Sequence, residues 1–310
     1  MSLSLRTIAK SALHKVFVLG QRCGMDILPR HFYSEIPCIR TLAREQSWRL
    51  PFSMTGVNGA DLASQLSKLN EICTEDVRRE LAGPGIQDAA AAMNGAAGFG
   101  TVEADCLYAF VRTRRPKQIF QIGCGVSTAV CLLAARAAGY SPEIICVEPF
   151  PTEFLRTQAA VGAITLLQTP AQELDLAFIE RLGSDLLFFV DSTHTLGPAG
   201  EVTRIILEML PRMQPNADVH FHDIRFPYDY DRRLLRKALF FQHESPLLHA
   251  FLCGNDRFEI QFCLSMLHYA APEELKACFP RYTPAPNRDG LEAGPGHFPS
   301  SIYLRVRGAG

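Results

Sequence analysis

Four short segments join glycine or polar residues to the apolar runs expected of buried strands. They are QIGCGVST at 121–128, VEPFP at 147–151, VDSTH at 190–194 and HFHDI at 220–224. Glycines let a backbone approach a ligand closely, carboxylates accept hydrogen bonds from hydroxyls, and histidine exchanges a proton near neutral pH. The four segments therefore predict a ligand site with acid–base chemistry.

The glycine turn and the acid that follows it have the spacing of a nucleoside site. Gly123 and Gly125 stand between a strand-like and a helix-like run, so the turn presents bare backbone and the amides of a helix N-terminus. Glu148 ends the next apolar run, about 25 residues later, where a carboxylate can accept hydrogen bonds from both hydroxyls of a ribose. This pair predicts a nucleoside-containing cofactor.

The other two segments supply acids and histidines. Asp191 and His194 follow one strand-like run, and Asp223 follows another in which His220 and His222 alternate and so face one side. Capping or packing would explain any one of these residues, but it does not explain the whole set. We therefore expect the reacting groups at these two strand ends.

A parallel sheet would bring the four segments together. From residue 103 onward, short runs rich in Ile, Val and Phe alternate with single helices, which is the pattern of strands buried on both faces. The carboxyl ends of such strands meet at one edge, where ligands bind. Strands are expected at 117–123, 143–149, 164–168, 185–193, 218–224, 258–267 and 301–307, and helices at 103–115, 127–139, 150–160, 176–182, 198–213 and 231–242.

The remaining segments form an extension and a loop. Residues 1–100, helical from 59 to 81, are expected to be an N-terminal helical extension or lid, and residues 101–310 the cofactor-binding domain. Basic and apolar residues interleave before Asp26, which favours an amphipathic helix docked on the protein or on a second subunit. An interfacial membrane helix and a targeting peptide are the alternatives. The Pro- and Gly-rich segment 271–299 is expected to be a loop.

Composition limits the class of partner and the compartment. The chain has 310 residues, 47% of them hydrophobic, and a formal net charge of −1, which argues against nucleic-acid binding by bulk charge. No apolar run approaches the roughly 18 to 20 residues of a membrane span, so we expect no membrane contact. The ten cysteines are scattered without a CxxC pair, which favours reduced thiols and a cytoplasmic location.

Two other nucleotide-binding motifs match poorly. The dinucleotide fingerprint GxGxxG needs a third glycine for close packing of helix on strand, and Thr128 stands at that position. A phosphate-binding P-loop needs GK followed by Ser or Thr, which the turn lacks. A nicotinamide-dependent oxidoreductase remains an alternative function, and so does a catalytically silent cofactor-binding scaffold.

From about Asn94 to its C-terminus the chain resembles the class I S-adenosylmethionine-dependent methyltransferases. The resemblance rests on IFQIGCGVST, ICVEPFP, FFVDSTH, HFHDI and the closing SIYLRV. Three segments, HFYSEIP, VDSTH followed by EMLPRMQP, and HFHDIRFPYDY, are similar to a bacterial subgroup of uncharacterised methyltransferases often associated with saccharide or secondary-metabolite pathways. The resemblance implies a Rossmann-like α/β fold with a seven-stranded, mostly parallel sheet, in which segments 258–267 and 301–307 form the terminal antiparallel pair.

The resemblance also assigns residues to S-adenosylmethionine. Gly123 and Gly125 would pass under its methionine part, and Glu148 would hold the ribose. Gln121 stands where the family usually has an acid and offers no charge to the cofactor's ammonium group. The full set of implied cofactor contacts is Gln121, Gly123, Gly125, Ser127, Thr128, Glu148, Gln172 near the adenine, and Asp191.

Methyl transfer to an oxygen needs help with the proton of the acceptor hydroxyl, and two mechanisms are open. His194 or His222 can act as general base, with Asp191 beside the reacting groups. Alternatively, Mg²⁺ or Mn²⁺ held by Asp191, Asp223 and His222 can lower the pKa of the acceptor. The expected function is O-methylation of a hydroxyl on a small molecule or saccharide, by a protein that can form a homodimer.

Overall fold

The computed structural model of the protein describes residues 5–34, 36–42, 44, 50–230, 234–287, 290–293 and 298–308. The chain forms two compact units, Met1–Glu45 and Gln46–Gly310. The first contains helices α1 (Leu5–Arg22) and α2 (Ile39–Leu42). The expected N-terminal helix is thus present, and its docking partner stays a prediction. Among the described helices, none has the length and hydropathy to cross a membrane.

The second unit is built on a seven-stranded sheet, as expected. Its strands are β1 (Gln118–Ile122), β2 (Glu143–Val147), β3 (Thr165–Leu167), β4 (Leu186–Val190), β5 (Asp218–Phe221), β6 (Phe258–Cys263) and β9 (Ile302–Val306). Their order is β3-β2-β1-β4-β5-β9-β6. Strands β1 to β5 are parallel, whereas β9 lies between β5 and β6 and is antiparallel to both. The carboxyl ends of β1, β2, β4 and β5 therefore meet at one edge.

Helices cover both faces of the sheet. One face is packed by α3 (Leu62–Ile72), α4 (Glu75–Leu81), α5 (Ile86–Asn94), α6 (Thr101–Arg114), α7 (Val126–Ala138) and α8 (Glu153–Ala160). The other is packed by α9 (Leu176–Glu180), α10 (Glu201–Arg204) with the π and 3-10 turns that continue it to Arg212, and α11 (Glu244–Leu252). Helices α3 to α5 share the core of the sheet, so the compact unit begins well before residue 100. The predicted boundary at 100 stays a prediction about function.

Helix α6 is buried over most of its length and positions two carboxylates inside the protein. Every residue from Val102 to Val111 is buried, including Glu103 and Asp105. Burial on all sides follows from its place between the sheet and helices α3 to α5. Glu103 lies in the first turn, where the helix dipole favours negative charge.

Three predictions of secondary structure are wrong. The expected strand 258–267 ends at Cys263, where helix α12 (Leu264–Ala270) begins. Of the expected helix 231–242, the described residues form a single π turn, Leu234–Ala238, and helix α11 follows instead. The expected loop 271–299 contains helix α13 (Pro272–Cys278) and a hairpin of β7 (Pro284–Asn287) and β8 (Gly290–Ala293). A continuous apolar run has neither helical nor strand periodicity, which explains the first error.

Candidate functional site

The glycine turn between β1 and α7 has a backbone shape that other residues adopt at a cost. Gly123 has φ +80° and Gly125 has φ +148°. A Cβ at Gly123 would lie 1.9 Å from the carbonyl oxygen of Asp191, and one at Gly125 would lie 3.3 Å from the side chain of Asn94. The turn is therefore packed against the end of β4 on one side and against α5 on the other.

Gln121 and Thr128 support this turn from beneath. The hydroxyl of Thr128 donates to Gln121 Oε1 at 2.8 Å and accepts from the amide of Gly125 at 3.2 Å. Both side chains are fully buried. Their polar atoms form hydrogen bonds within the protein. Gln121 and Thr128 therefore shape the turn from beneath the surface that faces the pocket.

A pocket of about 220 Å³ lies at the carboxyl edge of the sheet. It brings together five of the residues expected at the cofactor: Gly123, Gly125, Ser127, Glu148 and Asp191. Gln172 is exposed on the 3-10 turn Ala171–Glu173 and is not part of the lining. The full lining is Asn94, Ala97, Gly98, Phe99, Gly123, Cys124, Gly125, Val126, Ser127, Glu148 and Asp191.

Glu148 is fixed in the pocket by two backbone amides. Its Oε2 accepts from the amide of Cys124 at 3.2 Å, and its Oε1 accepts from the amide of Phe150 at 3.0 Å. Each carboxylate oxygen retains a lone pair for a further donor. The residue is half-buried, so it can receive two hydroxyls from a ligand in the pocket. Cys124 lines the same space, and burial raises the pKa of its thiol well above the usual range.

His194 lies among three carboxylates next to the pocket. Its Nδ1 is 2.6 Å from Glu244 Oε2, and its Nε2 is 3.4 Å from Asp191 Oδ1 and 3.6 Å from Asp223 Oδ2. Burial alone would lower the pKa of His194, but the hydrogen bonds that its ring donates to Asp191 and Glu244 outweigh burial and raise this pKa to about 10. Burial raises the pKa of Glu244, yet two further carboxylates at Nε2 keep the proton on the imidazole. Asp191 belongs to both the pocket and this cluster.

His222 lies on the other side of the cluster and has its own buried carboxylate. Its Nδ1 is 3.8 Å from Glu103 Oε1 and has no hydrogen-bond partner among the described residues. Burial raises the pKa of Glu103, whose Oε1 also accepts from the amide of Ser300. The ring of Phe99, which lines the pocket, is 5.0 Å from the His222 ring. His222 thus adjoins the pocket through Phe99.

Asp223 is tied down from several directions. Its Oδ1 accepts from Ser300 Oγ at 3.1 Å and from Arg225 at 3.4 Å, while its Oδ2 faces His194. Burial opposes ionisation, but coulombic interactions with His222, Arg225 and His194 hold the pKa of Asp223 well below its usual range. Asp223 is therefore an anion at neutral pH.

His220, which shares a face with His222, is a core residue. Its ring is fully buried, stacks on Tyr303 at 4.5 Å and meets Phe189 edge-on at 4.5 Å. Burial lowers its pKa well below the usual value, so the ring stays neutral. The alternation along β5 thus supplies one histidine for the site and one for packing.

Glu103 and Glu244 were not identifiable as site residues from the sequence. Each lies in the first turn of a helix, α6 and α11, where an acid is common for capping reasons. Glu244 reaches His194 across 50 residues of chain. Their roles depend on which helices pack behind β4 and β5, and no local pattern marks that.

The expected metal site does not fit the arrangement of these side chains. A cation bound between Asp191 and Asp223 would need the space that His194 Nε2 occupies. Within the part of the chain that the structure describes, no group of three or more His, Cys, Asp or Glu side chains is arranged to hold a metal ion. We therefore derive no catalytic step through a metal.

Comparison with known proteins matches part of the chain to a methyltransferase domain. Residues 120–224 match the family model described as "Methyltransferase domain". A protein of Archaeoglobus fulgidus that has no assigned function is 29% identical over 91 residues, which are 29% of this chain and 41% of that protein. The aligned region therefore spans less than half of this relative.

The solved structures that resemble this chain at low TM-scores include two methyltransferases. A methyltransferase of Podospora anserina with bound S-adenosylhomocysteine has a TM-score of 0.42 at 16% identity, covering 73% of this chain and 89% of that one. An O-methyltransferase of Bacillus cereus, also in complex with S-adenosylhomocysteine, has a TM-score of 0.38 at 13% identity, covering 76% and 92%. At these scores neither structure informs on the reaction of this chain.

Residues 120–224 match a methyltransferase domain, and the chain forms a seven-stranded, mostly parallel sheet. Both findings agree with the resemblance to the class I S-adenosylmethionine-dependent methyltransferases. The matched segment contains the glycine turn, Glu148, Asp191, His194 and the end of β5. This result favours the methyltransferase interpretation over a nicotinamide-dependent oxidoreductase.

Proposed function

We propose that the protein transfers a methyl group from S-adenosylmethionine to a hydroxyl oxygen of a small molecule or saccharide. The observation that supports this proposal most is the position of Asp191. Its side chain lines the pocket that contains the glycine turn and Glu148, and it also faces His194 in the acid–histidine cluster. Cofactor site and proton-handling groups are thus adjacent.

The residues of the pocket fit S-adenosylmethionine. The backbone of Gly123 and Gly125 lines the pocket where the amino-acid part would lie, Ser127 offers a hydroxyl at the start of α7, and Glu148 offers two oxygens to a ribose. Bound there, the cofactor supplies an electrophilic methyl group on a sulfonium. The task left to the protein is to orient the acceptor and to accept its proton.

Of the two candidate bases, we assign the proton to His222. Both ring nitrogens of His194 face carboxylate oxygens, so both bear hydrogens and neither has a lone pair for another proton. Nδ1 of His222 is buried and lies 3.8 Å from Glu103, so Nε2 is the nitrogen that would take the proton. In this mechanism the acceptor hydroxyl loses its proton to His222 as the oxygen–methyl bond forms. Glu103 then stabilises the positive imidazole.

His194 and Asp191 would act on the geometry of the site. Asp191 can accept a hydrogen bond from a second hydroxyl of the acceptor or from the cofactor. The ring of His194 holds the Asp191 carboxylate in one orientation. A polyhydroxylated acceptor such as a saccharide supplies neighbouring hydroxyls for such a contact, which is why we keep saccharides in the proposed class. A cytoplasmic location and a homodimer remain part of the proposal.

The proposal is tested by following labelled methyl transfer to a panel of hydroxylated acceptors, first with the unmodified chain. His222→Asn should then lower kcat by about 10² to 10⁴, the usual cost of losing a general base. Its affinity for S-adenosylhomocysteine should be unchanged. His249→Asn, which alters a half-buried histidine of α11, is the matched control and should retain kcat. Full turnover in His222→Asn would show that another group takes the proton.

A further inference from the structure

The His194 ring is placed where three separate parts of the chain meet. Asp191 follows β4, Asp223 follows β5, and Glu244 begins α11. One oxygen from each points at a ring nitrogen, at distances of 2.6 Å for Glu244, 3.4 Å for Asp191 and 3.6 Å for Asp223. Only 10% of the His194 side chain is exposed. The ring therefore occupies an enclosed position surrounded by negative charge.

Contacts with other segments also fix the main chain at His194. His194 has φ +59° and Asp223 has φ +57°, both in the left-handed region that costs energy for residues other than glycine. The carbonyl of His194 accepts from the amides of His243 and Glu244, at 2.9 and 3.3 Å. Such a conformation persists where surrounding contacts over-determine it. The start of α11 therefore fixes both the main chain and the ring of His194.

Some oxygens of the carboxylates around the ring already accept hydrogen bonds from other residues. Ser192 donates to the second oxygen of Glu244 at 3.3 Å, while Asp223 Oδ1 is engaged by Ser300 and Arg225. One oxygen of Asp191 and one of Asp223 face His194 Nε2. A divalent cation needs about six oxygen ligands in an open shell. The cluster has the negative charge that would attract a cation, but the His194 ring occupies the space between the carboxylates.

We propose that the side chain of His194 replaces a divalent cation at this site, and that Glu244 is the positioning residue that holds it there. The Nε2–H group of the ring faces both Asp191 and Asp223 as a metal would, and it keeps both strand ends in one geometry, while Nδ1–H pairs with Glu244. The protein then binds no divalent metal at these strand ends. The inference rests on the proposed function only in treating the strand ends as the reaction centre.

The test is a titration of the full chain with Mn²⁺, without cofactor or acceptor. The electron paramagnetic resonance signal of free Mn²⁺ measures how much of the metal is bound. Any Mn²⁺ binding by the unmodified chain should be unaffected by Asp191→Asn. His194→Ala leaves three carboxylates facing a vacated space and should bind Mn²⁺ at least about tenfold more tightly. The double variant with Asp191→Asn should lose that gain. His249→Ala is the control for a histidine removed elsewhere.

Two results of the Mn²⁺ titration would overturn the proposal. One is Mn²⁺ binding by the unmodified chain that Asp191→Asn abolishes. The other is a folded His194→Ala variant, checked by circular dichroism, that binds Mn²⁺ no better than the parent. Should His194→Ala not fold, Glu244→Gln replaces it. In ¹⁵N-histidine spectra the parent should show hydrogens on both His194 nitrogens at pH 8, and Glu244→Gln should lose one; a parent ring with one hydrogen contradicts the proposal. None of these readouts requires turnover, so they fail independently of the proposed reaction.

Discussion

Replacing Gly123 by alanine tests whether the glycine turn is built as described. The new Cβ would lie 1.9 Å from the carbonyl oxygen of Asp191 and 2.9 Å from its carbonyl carbon. A normal carbon–oxygen contact is roughly 3.3 Å or longer, so the ends of β1 and β4 would have to separate by more than about 1 Å. That movement strains the hydrogen bond from the Asp191 amide to the carbonyl of Ile122, now 2.9 Å.

The chain offers a matched control at Gly139. This residue has φ +65°, close to that of Gly123, but a Cβ there meets no atom within 4 Å. Both substitutions carry the left-handed cost, about 1 to 2 kcal/mol. Only Gly123→Ala adds the clash, which we estimate at about 1 to 3 kcal/mol by analogy with overpacked cores. Gly123→Ala should therefore lower the free energy of unfolding by about 1 to 3 kcal/mol more than Gly139→Ala.

Urea denaturation measures the difference, and calorimetry with S-adenosylhomocysteine measures the effect on the pocket. Gly139→Ala should bind S-adenosylhomocysteine like the parent, because its site is remote from the pocket lining. Gly123→Ala should bind it at least tenfold more weakly, because Asp191 and the turn shift together. Equal destabilisation by the two substitutions, with parental binding in both, would refute this description of the turn.

Three further predictions concern the pocket, the cluster and the N-terminus. Glu148→Gln replaces a charge-assisted acceptor and should weaken S-adenosylhomocysteine binding by roughly 1.5 to 3 kcal/mol in calorimetry, whereas Glu153→Gln, an exposed acid in α8, should not. The pKa of His194 is raised from 6.5 to about 10, so its stabilising effect is full below pH 6.5 and is lost as pH rises through 10. The difference in unfolding free energy between the parent and His194→Gln should shrink over that range. Removing the first 25 residues should change the sedimentation coefficient beyond the loss of mass if α1 docks on a second subunit; salt-sensitive binding of the whole chain to anionic vesicles would favour the membrane alternative instead.

The sheet and the pocket could be predicted because their signals are local. Strands β1, β2, β4 and β5 are buried on both faces, and such strands appear as short apolar runs. Gly123, Gly125 and Glu148 stand at the ends of such runs, so parallel topology alone brings them together. The spacing of these residues along the chain predicted that they would share a pocket, and the nucleoside site stays a prediction.

The acid–histidine cluster was only half predictable. Asp191, His194, His222 and Asp223 lie at strand ends, but whether a histidine serves as base, as cation or as packing depends on what packs behind it. Glu244 pairs with His194 from a helix that the sequence did not predict, and His220 faces Phe189 and Tyr303. These partners are distant along the chain, and only the assembled fold shows them.

The error at segment 258–267 has a similar cause. Leu264 to Leu267 are all buried, so the helix α12 continues the apolar run of β6 without a change in hydrophobicity. The amide of Leu264 donates to the carbonyl of Ser301, and the hydroxyl of Ser265 donates to the carbonyl of Phe226. Contacts with other segments end the strand there. No strand-breaking residue marks this position in the sequence.

The central claim is that the pocket between the glycine turn, Glu148 and Asp191 binds S-adenosylmethionine. Calorimetric titration of the unmodified chain with S-adenosylhomocysteine tests it most directly, with NAD as the comparison ligand and Glu148→Gln as the matched variant. We predict one molecule of S-adenosylhomocysteine per chain, weakened binding in Glu148→Gln and no binding of NAD. Binding of NAD without S-adenosylhomocysteine, or parental affinity in Glu148→Gln, would contradict the account.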